Sequence, residues 1–492
     1  MRKFLFVIAI MILFTSFASA DGYTEKLKVK GSLTQFSSFI FKNPATKKYL
    51  YKESFWEINS KYKFDNKSVI VQDGDKSSAY LFNTHSYLKK SDKLYYGDLR
   101  YRTGKKYNVK WCESSDYKRL SPYVIADSIG GDMNFEEYYF HGGFSKDNGS
   151  INYGFEAFYR AKYEYRLVNP RPKNIVSEYG LVMGLSFDLL DKHVLGFDLR
   201  YSNYKQDNEI KMFKNGEMQR FFIMKGLGYY NLSFSKSYRK LQVFHDIESL
   251  SASMQFFSKE RDGLFANLSY KQSTLDQYLG DFNDLNMSQL RTYYIGADIG
   301  YSFNTNLYSK IYSSIENHSG YENVHEHLNS INYRLVTVYN NYKSMETVLG
   351  NSYLFFFDNK EQNMTIDFSY KKSKQEYRST KSFQDISNIK AMISYGVCKK
   401  SFFTEVFLGY SKNISSELIL ADKMFVPNIK DEMILPNYKY LSSNKLLAGL
   451  TVNYNYRISI DKSLFFKGDY KMEYVENNDL YTNIELTAGI RF

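Results

Sequence analysis

Residues 480–492 alternate with a period of two: Leu480, Thr482, Ile484, Leu486, Ala488, Ile490 and Phe492 fall on one face, and Tyr481, Asn483, Glu485, Thr487, Gly489 and Arg491 on the other. Successive side chains of a β-strand point to opposite sides, so this segment sets oil against one surface and water against the other. A soluble sandwich produces the same alternation. The chain also opens with the pattern of an export signal and ends its last strand on an aromatic residue, and the two together predict a transmembrane β-barrel.

The export pattern has a charged start at Met1-Arg2-Lys3, an apolar run from Phe4 to Phe14, and the small residues Ala18-Ser19-Ala20 where a signal peptidase would cut. A mature chain beginning at Asp21 is expected. The apolar run is shorter than the ~20 residues a spanning helix needs, which argues against an uncleaved anchor. No cysteine follows the cut, so a lipoprotein is not expected.

No later segment approaches the ~18 uninterrupted apolar residues of a transmembrane helix, and the mean hydropathy is negative. Barrels escape such averages because every second residue faces a polar lumen. The 47 Tyr and 39 Phe, against 6 Pro, fit many strands with aromatic girdles at two membrane interfaces. The formal charge of +12 includes Arg2 and Lys3 and is spread along strands where bases alternate with acids. That pattern excludes a nucleic-acid face and favours anionic solutes or lipopolysaccharide phosphates. Two cysteines exclude a disulfide framework.

Strands are predicted near 53–64, 79–88, 93–103, 133–145, 150–164, 178–189, 192–205, 249–258, 264–275, 288–302, 305–317, 343–357, 363–376, 388–398, 401–414, 444–458, 462–475 and 480–492. Each reaches the ~9–11 residues that a tilted strand needs to cross. The fold class is therefore all-β, a single antiparallel transmembrane barrel of about 18 strands, within a range of roughly 14–20. Short connections such as Lys89 to Asp92, Lys146 to Gly149, Leu190-Asp191 and Lys259 to Gly263 should face the periplasm. The longer connections 104–132, 206–248, 318–342 and 415–443 should be external, and 206–248 could re-enter the membrane to make 20 strands. On this layout Cys112 lies outside and Cys398 near the periplasm, too far apart to bond.

Three domains follow: a signal at 1–20, a periplasmic segment or small lumen hatch at 21–52, and the barrel at 53–492. In the hatch, Asn43-Pro44-Ala45 is the part expected to turn, since proline fixes its own backbone angle and biases the residue before it. Along the strands, Ile151, Tyr153, Phe155, Tyr159 and Tyr163 oppose Glu156, Arg160, Lys162 and Glu164. Likewise Leu446, Leu450, Val452 and Tyr454 oppose Thr451, Asn453 and Arg457, and Leu464, Phe466 and Tyr470 oppose Lys467, Asp469, Lys471 and Glu473. An unpaired charge at mid-bilayer costs ~2–4 kcal/mol, so lipid takes the apolar set. Lumen-lining candidates are Glu156, Arg160, Lys162, Arg457, Lys467, Asp469, Lys471, Glu485 and Arg491, which either set a selectivity field or neutralise one another.

The export signal, the Asn43-Pro44-Ala45 lead-in, the loop Asn169-Pro170-Arg171-Pro172-Lys173-Asn174 and the aromatic end at Phe492 give the whole mature chain a resemblance to outer-membrane β-barrel proteins of Bacteroidota whose function is unassigned. Asn-Pro-Ala near the start also resembles the opening segment of barrels that transport long-chain fatty acids. The proline loop identifies kin and not a chemistry.

Two further clusters stand out. Arg171 and Lys173 flank Pro172 in what reads as an external loop, where a stiff backbone could offer both cations to an anion or a partner protein. His318, His325 and His327, with Glu322 and Glu326, suit zinc, nickel or iron, although solvated loop chemistry explains them as well. No Gly-x-Ser-x-Gly elbow appears, no enzyme is expected and no cofactor is implied. The leading expectation is a channel or transporter for an unidentified solute. The alternative is an occluded barrel that serves an outer-membrane receptor or lipoprotein partner through its loops. Lipid, lipopolysaccharide and the barrel-assembly machinery are the other expected partners.

Overall fold

Eighteen antiparallel strands follow one another around a closed ring. In chain order they are β1 (Phe55–Asp65), β2 (Lys76–Lys90), β3 (Lys93–Val109), β4 (Gly131–Asn148), β5 (Ile151–Tyr165), β6 (Arg171–Leu189), β7 (His193–Lys211), β8 (Lys240–Ser258) and β9 (Gly263–Leu279), then β10 (Leu285–Asn304), β11 (Leu307–Asn329), β12 (Asn332–Phe357), β13 (Gln362–Tyr377), β14 (Ser382–Lys399), β15 (Phe402–Ile419), β16 (Lys445–Arg457), β17 (Ser463–Val475) and β18 (Asp479–Arg491). The computed structural model describes residues 36–492 apart from 52, 190–191, 214–217, 305, 330–331, 358–360, 400, 422–427, 460–461 and 477–478. The expected export signal and the 190–191 turn lie outside the described residues.

β18 pairs with β1 from Glu57↔Arg491 to Asp65↔Asn483, which closes the ring. Backbone groups at an open edge would have no partner in hydrocarbon, so closure is what allows the sheet to sit there. At the seam Trp56 and Phe492 exchange backbone hydrogen bonds and stack at 5.3 Å. Leu181, Met183, Leu185, Phe197, Leu199, Leu250, Ile295 and Leu486 are among the large apolar residues exposed on the outer wall. Among the described residues no helix is long and apolar enough to cross a membrane. Cys112 and Cys398 are both buried and are not joined in a disulfide.

Three connections differ from their sequence reading. Residues 318–329 and 332–342 are strand and not loop: β11 and β12 run on as a hairpin that rises beyond its neighbours, β12 alone spanning 26 residues. Residues 206–248 do not re-enter the membrane. β7 and β8 extend to Lys211 and Lys240, and the stretch between them forms the short strands Gln219–Arg220, Phe222–Gly226, Tyr229–Tyr230 and Ser237–Tyr238, outside the 18-stranded ring. In 104–132 the strands reach Val109 and resume at Gly131, and the residues between them dip inward.

Candidate functional site

Among the described residues the lumen is filled on one side and open on the other. On the filled side, the helical turns Ser38–Phe41 and Pro44–Tyr49 form a plug against the periplasmic half of β4–β9. Phe36, Phe39, Ile40 and Phe41 pack with Val194, Phe257 and Phe265. Asn43, fully buried, donates through Nδ2 to the carbonyls of Leu185 (3.1 Å) and Phe197 (3.0 Å) and to Gln255 Oε1 (3.0 Å), while its Oδ1 accepts from the Ala45 N–H (2.9 Å). Glycines make room: a Cβ on Gly154 would lie 2.6 Å from the Pro44 backbone, and one on Gly184 would lie 2.0 Å from Asn43 Oδ1. Lys47 donates to Glu156 (2.5 Å) and Lys48 to Asp147 (2.6 Å). Glu156 also meets His141 Nε2 at 3.0 Å. Burial and the nearby Asp188 carboxylate hold the Tyr49 phenol above its usual range.

The external half of the same side is filled by residues 110–130, a lid that brings charge to the wall. Asp116 takes Arg160 (2.8 and 3.1 Å) and Lys162 (2.9 Å). Burial alone would raise the Asp116 carboxyl, but Lys162 and Arg160 together hold it well below the usual carboxylate range. Arg166 lies 2.8 Å from Glu113 and 3.9 Å from Asp127, all three side chains without exposed surface. With one guanidinium for two acids, burial wins and both carboxyls are pushed up. The short strand Ile125–Ala126 pairs with Phe222 and Ile223, which lays the 221–236 segment over the lid. Lys225 anchors that segment to Glu322 at 2.9 Å.

Among the described residues nothing comparable enters along β13–β18 and β1, and a cavity of about 1620 Å³ remains, lined by Thr365, Lys390, Glu405, Phe407, Thr451, Asn453, Lys471, Glu473 and Asn483 among others. At its external end the helix Leu435–Leu441 leans on the wall. Tyr440 donates to Glu473, Lys445 lies 3.6 Å over the Tyr440 ring, and Asn437 donates to Gln72 (2.9 Å).

The predicted lumen residues thus divide. Arg457, Lys467, Asp469, Lys471 and Arg491 line the open cavity. Glu156, Arg160 and Lys162 face inward but line no open lumen, because plug and lid consume them. Glu485 is bound to Lys61 at 3.0 Å. Arg171 and Lys173 are not in a loop: they begin β6, level with Lys211 and Glu209, with Arg171 stacked on Phe213 at 4.3 Å. The histidine trio is not assembled either. His318 and His325 are seven residues apart on one strand, roughly 23 Å at ~3.3 Å per residue. His318 meets Thr292 (2.8 Å) and Glu316 (3.3 Å), His325 packs edge-on to Phe234, and His327 lies against Tyr333. Among the described residues no group of three or more His, Cys, Asp and Glu could hold a metal ion. Lys47, Glu113, Asp127, Arg166, Glu405 and Phe407 were not singled out by sequence. The inward glycines Gly154 and Gly184, set between the bulky residues Tyr153 and Phe155 and Met183 and Leu185 along their strands, are the signal that could have marked the plug's seat.

A closed antiparallel ring with an apolar outer wall and a charged interior is an outer-membrane β-barrel, and its place is the outer membrane. The chain belongs to the family of unknown function DUF6850, whose model matches residues 44–492. Solved structures similar to it include the ferric preacinetobactin receptor BauA of Acinetobacter baumannii (8% identity, 90% of this chain and 80% of that chain, TM-score 0.45). The ferric-catecholate import receptor Fiu of E. coli K12 is similar at 8% identity over 92% and 82% of the two chains, with a TM-score of 0.44. A TodX monoaromatic hydrocarbon channel mutant gives 11% identity over 92% of both chains and a TM-score of 0.31. No curated protein matches the chain in sequence.

Proposed function

We propose that this barrel is a non-enzymatic passage for a solute across the outer membrane, running through the open half of the lumen, in a cell of the Bacteroidota type. One observation carries the reading. The lining of the 1620 Å³ cavity includes Phe402, Arg457 and Arg491 by the periplasmic turns and Lys67, Tyr440 and Tyr481 at the external end, so it extends over the length of the wall. Its volume exceeds the ~300–1,000 Å³ of an ordinary ligand pocket, as a route needs and a closed binding site does not. The helix Leu435–Leu441 is then an outer gate, held by the Tyr440–Glu473 hydrogen bond. In planar bilayers the purified protein should conduct in discrete steps, and Tyr440→Ala should raise the step size or the open fraction. Silence from both proteins would overturn the reading.

A second reading has an observation of its own. Residues 323–329 and 332–341 of the β11–β12 hairpin rise past the last ladder partners on either side, Ser288↔Glu322 and Tyr342↔Tyr377. Val324, Leu328, Leu335, Val336 and Val338 are exposed there. Bare strand edges with apolar side chains suit a receptor or lipoprotein partner, and a silent barrel would place the function on this hairpin.

A further inference from the structure

Charges along the open wall fall into two groups. Most carboxylates are taken by neighbours: Glu57 by Arg491 (2.6 Å), Asp65 by Asn483 (2.7 Å) and Ser77 (2.9 Å), Asp469 by Thr451 (2.7 Å) and Lys467 (3.0 Å), and Glu473 by Tyr440. Glu405 and Lys471 differ. Both line the cavity, and neither makes a hydrogen bond or ion pair among the described residues. Neither ion holds the fold together through a contact, and both face the cavity, which leaves them available to a partner that arrives from outside.

The ladder fixes where they stand. Phe407 is level with Gly449, and Gly449 with Lys471, so the ring and the ammonium sit two strands apart at one height. Glu405 is two residues from Phe407 on the same strand, level with Thr451 and nearer the periplasm. At ~4.8 Å per strand and ~3.3 Å per residue, the Cα atoms of Glu405 and Lys471 are roughly 12 Å apart. The reach of both side chains shortens this to about the span between the two termini of a dipeptide. Phe407 covers the ground between them: a Cβ on Gly449 would lie 2.2 Å from a ring carbon, so the glycine is what lets the ring lie along the wall.

We infer that Glu405, Phe407 and Lys471 form a subsite for zwitterionic solutes, amino acids or short peptides; this rests on the passage reading and names its cargo class. The α-ammonium pairs with Glu405, the carboxylate with Lys471, and an apolar side chain lies on Phe407. Lys390, the other lining cation with no partner among the described residues, stands four residues outward of Ser394, which is level with Phe407, and draws the carboxylate end in first.

Flux of alanyl-phenylalanine, its N-acetyl form and its C-terminal amide into liposomes carrying the full protein tests this. The zwitterion should enter at least ~3-fold faster than either blocked form, about 0.65 kcal/mol at ~1.4 kcal/mol per tenfold. A lumen with a simple charge preference would instead favour one singly charged form. Glu405→Gln should abolish the advantage over the N-acetyl form, and Lys471→Gln the advantage over the amide. Neither variant removes a contact within the fold. Equal entry of all three solutes, or discrimination unchanged by both variants, overturns the subsite and leaves the passage standing. A barrel that admits none of the three and carries no salt current overturns the passage, and the subsite with it.

Discussion

The two sides of the lumen are built from the same alternating strands and differ in what reaches them from elsewhere in the chain. Along β5 the inner charges are spent on inserted segments: Glu156 on Lys47 of the plug, Arg160 and Lys162 on Asp116 of the lid. Along β17, β18 and β1 most are spent on one another, as Lys467–Asp469, Lys61–Glu485 and Arg491–Glu57, with Lys471 left over. Glycine makes room on both sides, for different occupants at these positions. Gly154 and Gly184 admit the plug's backbone and Asn43, whereas Gly449 and Gly489 admit the rings of Phe407 and Phe465. A charged inner face alone therefore does not define a pore, because the length of chain available to fold back onto it decides.

The largest test of this division is Arg166→Met. The substitution takes the guanidinium from beside Glu113 and Asp127 and should cost about 3–5 kcal/mol at a pH above their raised folded-state values, where both are ionised, read as a lowered unfolding midpoint in denaturant. The pH dependence has a definite sign. Burial raises both carboxyls, so their contribution is full below the ordinary carboxylate pKa of ~4 and is lost as pH rises through the folded-state values. Asp116 is held low and works the other way, its contribution being lost only as pH falls below that range. Amide exchange in residues 110–130, corrected for intrinsic rate, should be slower at pH 5 than at pH 8. Faster exchange at pH 5 would mean that the lid is held by ionised carboxylates and not by protonated ones.

Next in size is the plug's seat. Gly184→Ala puts a Cβ 2.0 Å from Asn43 Oδ1 and 2.9 Å from Pro44 Cδ, an overpacking that costs about 1–3 kcal/mol. Gly468→Ala, in β17 of the open half, meets nothing nearer than 3.8 Å. Trypsin should cut after Lys47 or Lys48 faster in the first variant and at the wild-type rate in the second. Equal rates would show that the glycine does not limit the seat.

The period of two made all 18 strands legible, because a wall between lipid and a polar lumen imposes that alternation on each of them. It failed at 318–342 for the same reason. Above the bilayer nothing forces one face to be apolar, so the His- and Asn-rich hairpin reads as loop although its backbone continues as strand. Asn43-Pro44-Ala45 was readable as a turn, but its seat exists only once Gly154 and Gly184 are brought level across β5 and β6, with Gly196 of β7 two residues along the ladder. The inward direction of Arg160 and Lys467 was readable too. Which of them meets a lid depends on Asp116, 44 residues from Arg160, and no local pattern carries that.

The smallest effect is the sharpest check on the open half. Lys467 and Asp469 lie 3.0 Å apart on one strand, the lysine side chain 41% exposed and the aspartate 10%. Asp469 keeps the Thr451 hydroxyl at 2.7 Å if the lysine is removed, and water in the cavity can solvate its other oxygen. Lys467→Met should therefore cost less than about 1 kcal/mol, as exposed pairs do, and the loss should shrink further in 0.5 M salt because the pair is screened. A salt-insensitive loss near ~3 kcal/mol would mean that the pair is as dry as Arg166–Glu113. The lumen would then be closed on both sides, and the function would lie on the β11–β12 hairpin.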